Sequence, residues 1–179
     1  MEKVKLGGMK QSLELCQFDL RGPDVPERVI PNLSRLLASQ KINIGFITYN
    51  QLSSEFHHIT ICPYQDDFSS TSRILNAAGT LPVGWEMHAR EHVGTITVYP
   101  HRSPIKILAG VMMTWASESI PIYGIATSLS AISFITEYGM IDKGVALLRT
   151  AFEMPDDHAP VKPELIYYQS ENAQKHKGK

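Results

Sequence analysis

Glu27–Asn50 reads ERVIPNLSRLLASQKINIGFITYN, and Ile105–Ser128 reads IKILAGVMMTWASESIPIYGIATS. Set side by side, Pro26 falls on Pro104, Ile42 on Ile120, Ile44 on Ile122 and Ile47 on Ile125, every pair 78 positions apart. Upstream, Leu15, Phe18 and Leu20 fall on Val93, Ile96 and Val98 at the same offset. Downstream, Ile59, Ile61, Ile74 and Leu75 fall on Ile132, Phe134, Leu147 and Leu148 at an offset of 73, so the second copy has lost five residues. A deletion whose flanks stay in register marks a surface hairpin. The period exceeds the roughly 20–50 residues of solenoid repeats and suits two small domains in one chain of 179 residues.

Each copy reads as the same series of elements. Ser12–Leu20 alternates like a strand. Arg21-Gly22-Pro23-Asp24-Val25-Pro26 is dense in turn formers, with Asp24 able to cap the next helix and Pro26 suited to its first turn. Val29, Ile30, Leu33, Leu36 and Leu37 recur at helical spacing. Ile42–Tyr49 and His57–Cys62 are predicted as paired strands joined by a hairpin at Asn50–Glu55. A second helix over Ser70–Ala78 and a short strand at Trp85–Arg90 complete a β-α-β-β-α-β order. The second copy repeats it. Strands are expected at Val93–Tyr99, Ile120–Thr127 and Ala131–Thr136, and a helix lined by Ile107, Leu108, Val111, Met112 and Trp115. A last helix is striped by Ile141, Val145, Leu148 and Phe152, and a closing strand is expected at Leu165–Tyr168. The predicted class is α+β: two ferredoxin-like sandwiches, each an antiparallel sheet with helices on one face. The expected boundaries are an N-terminal tail 1–10, domains 11–91 and 92–168, and a disordered polar tail 169–179.

Composition narrows the function classes. A net charge of −1 favours no polyanionic partner. The start, MEKVKLGGMKQ, has no apolar core for a signal peptide, and no run reaches the ~18–20 apolar residues of a membrane span. A cytoplasmic protein without membrane attachment is expected. Cys16 and Cys62 are too few for a disulfide framework and read as buried thiols. His88-Ala89-Arg90-Glu91-His92 matches a zinc-protease pattern that requires a helix, but the repeat puts it where two strands meet, so it reads as coincidence. His57 and His58 are neighbours on a strand and face opposite sides. No nucleotide-binding glycine pattern occurs, and no cofactor or metal is expected. RNA-recognition domains share the element order, but the third strands here lack their stacking aromatics and basic residues. A small acyl-phosphate hydrolase, the catalytic reading of this fold, has only Arg21 and Arg102 in its favour.

Taken in order, these segments resemble the tandem ACT domains of the regulatory half of aspartate kinases, and above all the short regulatory chain that some bacteria make separately. The resemblance runs from about Leu13 to Tyr168. It rests on Arg21-Gly22-Pro23-Asp24-Val25-Pro26-Glu27, Ile42-Asn43-Ile44, Arg102-Ser103-Pro104, Ile125-Ala126-Thr127-Ser128, and on Ile132-Ser133-Phe134 followed by Asp142–Phe152. It implies a regulatory protein, not an enzyme, that binds a free amino acid of the lysine or threonine class and works as a homodimer or with a catalytic partner subunit. The implied site residues are Asp24, Val25, Pro26, Glu27, Asn43 and Ile44 in the first copy, and Ser103, Pro104, Ile122 and Ser128 in the second. Physically, Asp24 offers a carboxylate to an ammonium group, and the helix N-terminus behind it offers free N–H groups to a carboxylate. Asn43–Ile44 would add backbone contacts across an interface. The bland reading is that Asp24 is only a cap. The chain departs from the family at Glu27, where a glycine is usual, at Tyr49, where a glutamine is common, and at Pro121, which replaces an asparagine and removes a backbone donor. These departures favour the alternative of a ligand-free interaction module that keeps the ACT pairing surface.

Overall fold

The computed structural model describes residues 3–23, 26–53, 56–99, 103–156 and 161–162, with 26–28 through their helical backbone. Asp24, Val25, the closing strand expected at Leu165–Tyr168 and the tail 169–179 lie outside the described residues. Among the described residues, seven strands and four α-helices follow in the order β1 (Gly8–Gln11), β2 (Leu15–Pro23), α1 (Pro26–Ser39), β3 (Ile44–Ser53), β4 (Phe56–Pro63), α2 (Phe68–Asn76), β5 (Glu86–Tyr99), α3 (Pro104–Ser117), β6 (Gly124–Thr127), β7 (Ile132–Glu137) and α4 (Ile141–Ala151). The chain divides into two compact units, one built on Leu15–Glu91 and one on Met1–Glu14 with His92–Glu164. β5 contributes residues to both.

In the first unit the strand order is β5-β2-β4-β3. β2 and β3 both pair antiparallel with β4, through ladders that include Phe18↔Ile61 and Ile47↔Ile61. The inward residues of one sheet face and two helices make the core: Phe18 and Leu20 from β2, Ile59 and Ile61 from β4, Val29, Leu33 and Leu37 from α1, and Leu75 from α2. Each such aliphatic side chain contributes about 1.5–3 kcal/mol by leaving water. The second unit repeats the arrangement with Ile96, Val98, Ile132, Phe134, Ile107, Val111, Trp115 and Leu148. Val29, Leu33 and Leu37 lie 78 positions before Ile107, Val111 and Trp115, and all six are buried. The duplicated pattern therefore predicts the packing of both cores.

The helix ends are duplicated too. Pro26 and Pro104 each open a helix, where the missing N–H costs nothing and the ring fixes a helical φ. Lys41 and Ser119, again 78 apart, take left-handed φ angles of 57° and 55°. Behind them Ile42 N–H donates to the Leu37 carbonyl and Ile120 N–H to the Trp115 carbonyl, at 3.0 and 2.9 Å. That is a left-handed C-terminal cap made without glycine.

Three readings are corrected. The expected N-terminal tail 1–10 carries β1, which pairs antiparallel with β5 through Met9↔Val98 and buries Met9 and Leu6 in the second core. The residues preceding β2 therefore belong with the second unit, whose strand order is β1-β5-β7-β6. Secondly, the hairpin expected at Asn50–Glu55 is strand as far as Ser53, because Asn50↔His58, Gln51↔His57 and Ser53↔Phe56 continue the ladder. The five-residue loss removes this ribbon from the second unit, where β6 has four residues. Thirdly, Met112 does not join the buried stripe of α3: it is 42% exposed.

Candidate functional site

The first-unit site was expected to combine the loop before α1 with the start of β3. Asp24 and Val25 lie outside the described residues, and Pro26 and Glu27 form the first helical positions of α1. Pro31, inside the helix, has no N–H to give the Glu27 carbonyl four positions back, which leaves the first turn short of one internal bond. Asn43 is half-buried just before β3, and Ile44 opens it opposite Pro63 while packing on the core. The register puts these two parts far apart. Pro23, which leads into α1, pairs with Phe56, and Phe56 pairs with Ser53 at the far end of β3. Nine residues at about 3.3 Å each separate Ser53 from Ile44, roughly 30 Å. One unit does not bring Asn43 to its own helix N-terminus.

The second unit has the same geometry on a shorter scale. Ser103 precedes α3 with non-helical backbone angles (φ −140°, ψ 72°) and without a side-chain capping bond, its carbonyl accepting from the Ile107 N–H at 3.1 Å, and Pro104 is the first helical residue. Ser128 stands at the same end of the sheet, next to Thr127, whose partner Ile132 pairs with Val98. Its hydroxyl is used in the β6–β7 turn, accepting from the Ala131 N–H at 3.1 Å. Ile122 lies before the start of β6 at the opposite end and packs on the core. The neighbouring Pro121 carbonyl accepts the Thr136 hydroxyl at 2.6 Å. Of the second expected site, the Ser128 hydroxyl is thus engaged in the fold.

The base of the first loop is held by a contact that the sequence does not reveal. A Cβ on Gly22 would overlap the Trp85 indole, so only glycine lets the ring lie against the strand here. The Trp85 Nε1–H donates to the Pro23 carbonyl at 2.8 Å. This pins the last residue before Asp24 from 62 positions away.

A second feature is a buried polar group on the sheet face opposite the helices. The Asp19 carboxylate accepts Gln17 Nε2 at 2.8 Å and the Thr60 hydroxyl at 2.7 Å, and lies 3.1 Å from His58 Nε2. Gln17 and Asp19 alternate with Cys16, Phe18 and Leu20, which is the only trace of this network in the sequence. His57, on the other face, is buried against Tyr49, whose hydroxyl lies 2.8 Å from its Nδ1 and whose ring stacks on it. Tyr49 is therefore committed to the strand pair. His92 Nδ1 lies 2.6 Å from Glu14 Oε1. Among the described residues, no cluster of three or more His, Cys, Asp or Glu side chains is placed to hold a metal ion. Both thiols are buried. Burial pushes Cys16 up to about 12, with Asp67 and Glu91 adding to it, and burial also drives Cys62 far above the usual thiol range. Neither is a nucleophile at neutral pH. Among the described residues no helix is long and apolar enough to cross a membrane.

No protein-family model matches the chain. It is 24% identical over 162 residues to the aspartate kinase Ask_LysC of Stutzerimonas stutzeri (strain A1501), a match that covers 86% of this chain and 38% of that enzyme's length. The ligand-free regulatory subunit of aspartate kinase from Thermus thermophilus superposes with a TM-score of 0.67 at 21% identity, over 83% of this chain and 99% of the subunit. A chain in the structure of the aspartokinase alpha and beta subunits superposes with a TM-score of 0.64 at 20% identity, over 82% of this chain and 97% of that one. With the β-α-β-β-α-β order complete in the first unit, the equivalent core in the second and nearly all of the regulatory chain matched, this protein has the fold of the tandem ACT regulatory subunit of aspartate kinase.

Proposed function

We propose that the chain is a regulatory protein that binds a free amino acid in the cytoplasm and thereby controls a catalytic partner of the aspartate kinase type. The observation that carries this reading is the pattern of coverage: nearly the whole of solved regulatory subunits, but only 38% of a complete kinase. It supports a regulatory role for the residues that match. Asp24 would receive the ligand ammonium, and the N–H groups of the first turn of α1 its carboxylate. Because Asn43–Ile44 stands roughly 30 Å from the same unit's helix start, the second wall of the site would come from another ACT unit. A ligand bridging such an interface favours the assembled state by its differential affinity, and the coupling is reciprocal.

The test is calorimetry with lysine and threonine after a thermal-shift screen of the free amino acids. A ligand at 100 times its Kd stabilises the folded state by about 2.7 kcal/mol. Asp24→Ala should abolish that shift while lowering basal stability by about 1 kcal/mol as a lost cap. Retained binding in this variant would remove Asp24 from the site. The second reading, an interaction module without ligand, is supported by the engaged Ser128 hydroxyl and Pro121 carbonyl. No response to any amino acid from the folded chain would favour it.

A further inference from the structure

The sheet face away from the helices is built twice in this chain, and the two versions differ. In the second unit Thr97 of β5 stands opposite Ser133 of β7, with their hydroxyls 2.7 Å apart. The repeat places Asp19 of β2 and Thr60 of β4 at those positions, 78 and 73 residues earlier. Two neutral hydroxyls satisfy the sheet there. The first unit instead buries a carboxylate, which is costly unless it is fully paired. The pairing recruits His58, where the second unit has Ala131. The sheet itself requires neither the charge nor the imidazole.

A carboxylate only accepts, so the His58 nitrogen beside Asp19, Nε2, carries a proton. Thr60 Oγ1, which donates to Asp19 at 2.7 Å, lies 3.4 Å from the same nitrogen. This leaves Nδ1, which no group bonds among the described residues, on a side chain that is 20% exposed. Strand register sets its neighbours. His58 stands between Arg21 of β2 and Asn50 of β3, all three on one face. Arg21 and Asn50 are exposed, and neither side chain is bonded among the described residues. Phe56, 41% exposed, lies two residues away from His58 on the same face of β4. The face is sealed at Gln17, Asp19 and Thr60 and opens to solvent at the Arg21–His58–Asn50 row.

We propose that this row binds a phosphate group, free or as a monoester. Arg21 offers its planar fork of donors to the phosphate oxygens, and the Asn50 amide adds a neutral donor. His58 Nδ1 makes the third bond. A phosphate exchanges its last proton close to neutral pH, with a second pKa of about 6 in a monoester. One proton is therefore on hand between Nδ1 and a phosphate oxygen, whichever of the two holds it. Asp19 is a positioning residue: by holding the Nε2 proton it keeps Nδ1 for the ligand. The other charged or titratable groups of the face stand on β5. Arg90 Nη1 reaches Gln17 Oε1 at 3.5 Å, which turns Glu86, His88 and Arg90 to this side, beyond β2 from His58. From β3 the face receives only Phe46, Thr48 and Asn50, none of them charged. The proposal goes beyond the amino-acid reading and uses none of its residues.

Titration of the full chain with inorganic phosphate near neutral pH tests it, read by calorimetry and by nitrogen-15 spectra of the histidine rings. Binding should saturate, with the His58 Nδ1 signal moving and Nε2 keeping its proton. Arg21→Ala and His58→Ala should each weaken binding at least about 10-fold with an unchanged circular dichroism spectrum. Asn50→Ser, which installs the second unit's residue, should weaken it about 3-fold, and Arg35→Ala, at an exposed position of α1, should leave it unchanged. Sulfate has no proton to share near neutral pH and should bind about 10-fold more weakly than phosphate. An alkyl phosphate monoester that binds more tightly than phosphate assigns the site to a small organic phosphate whose carbon part lies on Phe56, and equal binding assigns it to the free ion. No saturable binding of either, or binding indifferent to Arg21→Ala, overturns the proposal. Arg21 is exposed, so this variant decides even where His58→Ala fails to fold. Sulfate that binds as well as phosphate overturns the role of His58 and the choice of phosphate with it. Asp24→Ala keeps the two readings apart, because it should remove the amino-acid response and leave phosphate binding unchanged.

Discussion

The two units of this chain agree inside and disagree outside. Val29, Leu33 and Leu37 are the buried counterparts of Ile107, Val111 and Trp115, and Phe18 and Leu20 those of Ile96 and Val98. Outward, Ser34 and Arg35 stand where the second unit has Met112 and Met113, and a ten-residue edge strand stands where it has four. Duplication starts both copies with the same surfaces as well as the same cores. Packing then constrains the inward positions of each, since a core felt through one methylene tolerates little change. The outward positions are free to diverge. The first retains the Asp24 loop and a long exposed ribbon, and the second carries the apolar helix.

The equivalence of the cores can be broken most severely at its largest residue. Trp115→Ala should destabilise the second unit by about 3–5 kcal/mol and Leu37→Ala the first by about 2–5 kcal/mol, measured by denaturant unfolding. Losses under 1 kcal/mol at either site would mean that the repeat no longer marks the core. A smaller effect separates the units at their loops. Gly22→Ala should cost about 1–3 kcal/mol by pushing the Trp85 ring off the strand, and Gly22→Ala with Trp85→Ala should cost less than the two changes added together. Strict additivity in unfolding experiments would show that the ring does not rest on this glycine.

The smallest effect depends on pH. Burial, with the neighbouring Asp66 carboxylate, raises Asp67 above the usual carboxylate range. Its folded state therefore holds the proton more tightly than its unfolded state. The stability this provides is complete below the ordinary carboxylate value and disappears as pH rises through the raised folded value. Asp67→Asn should accordingly be slightly more stable than the parent at neutral pH, with the difference closing in acid. Thermal unfolding at several pH values reads this directly, and a constant offset would remove Asp67 as its source.

Much of the architecture was legible because apolar periodicity reports burial, and the repeat reports it twice. Leu33 and Val111, or Ile61 and Phe134, vouch for each other. β1 was not legible. Gly8-Met9-Lys10-Gln11 has one core side chain, and its ladder partners Ile96–Tyr99 stand almost ninety positions downstream. Met112 was misplaced because Val111 and Met112 are 100° apart on a helix and both belong to an apolar run, so pattern alone does not find the edge of the buried stripe. At the candidate site, residue types were readable but distances were not. That Asn43 and Pro26 sit at opposite ends of a sheet follows from the ladder register. The Trp85–Gly22 contact joins residues with no shared periodicity.

The two tryptophans of the chain are distributed one to each unit. Trp115 is sealed against Phe134 and Gly144, while Trp85 is half-buried with its N–H on a carbonyl beside the loop. Their emission should thus be distinguishable without labels: a blue component from the second unit and a redder, quenchable one from the first. A change that reaches either ring should therefore be readable as a change in one component and not the other.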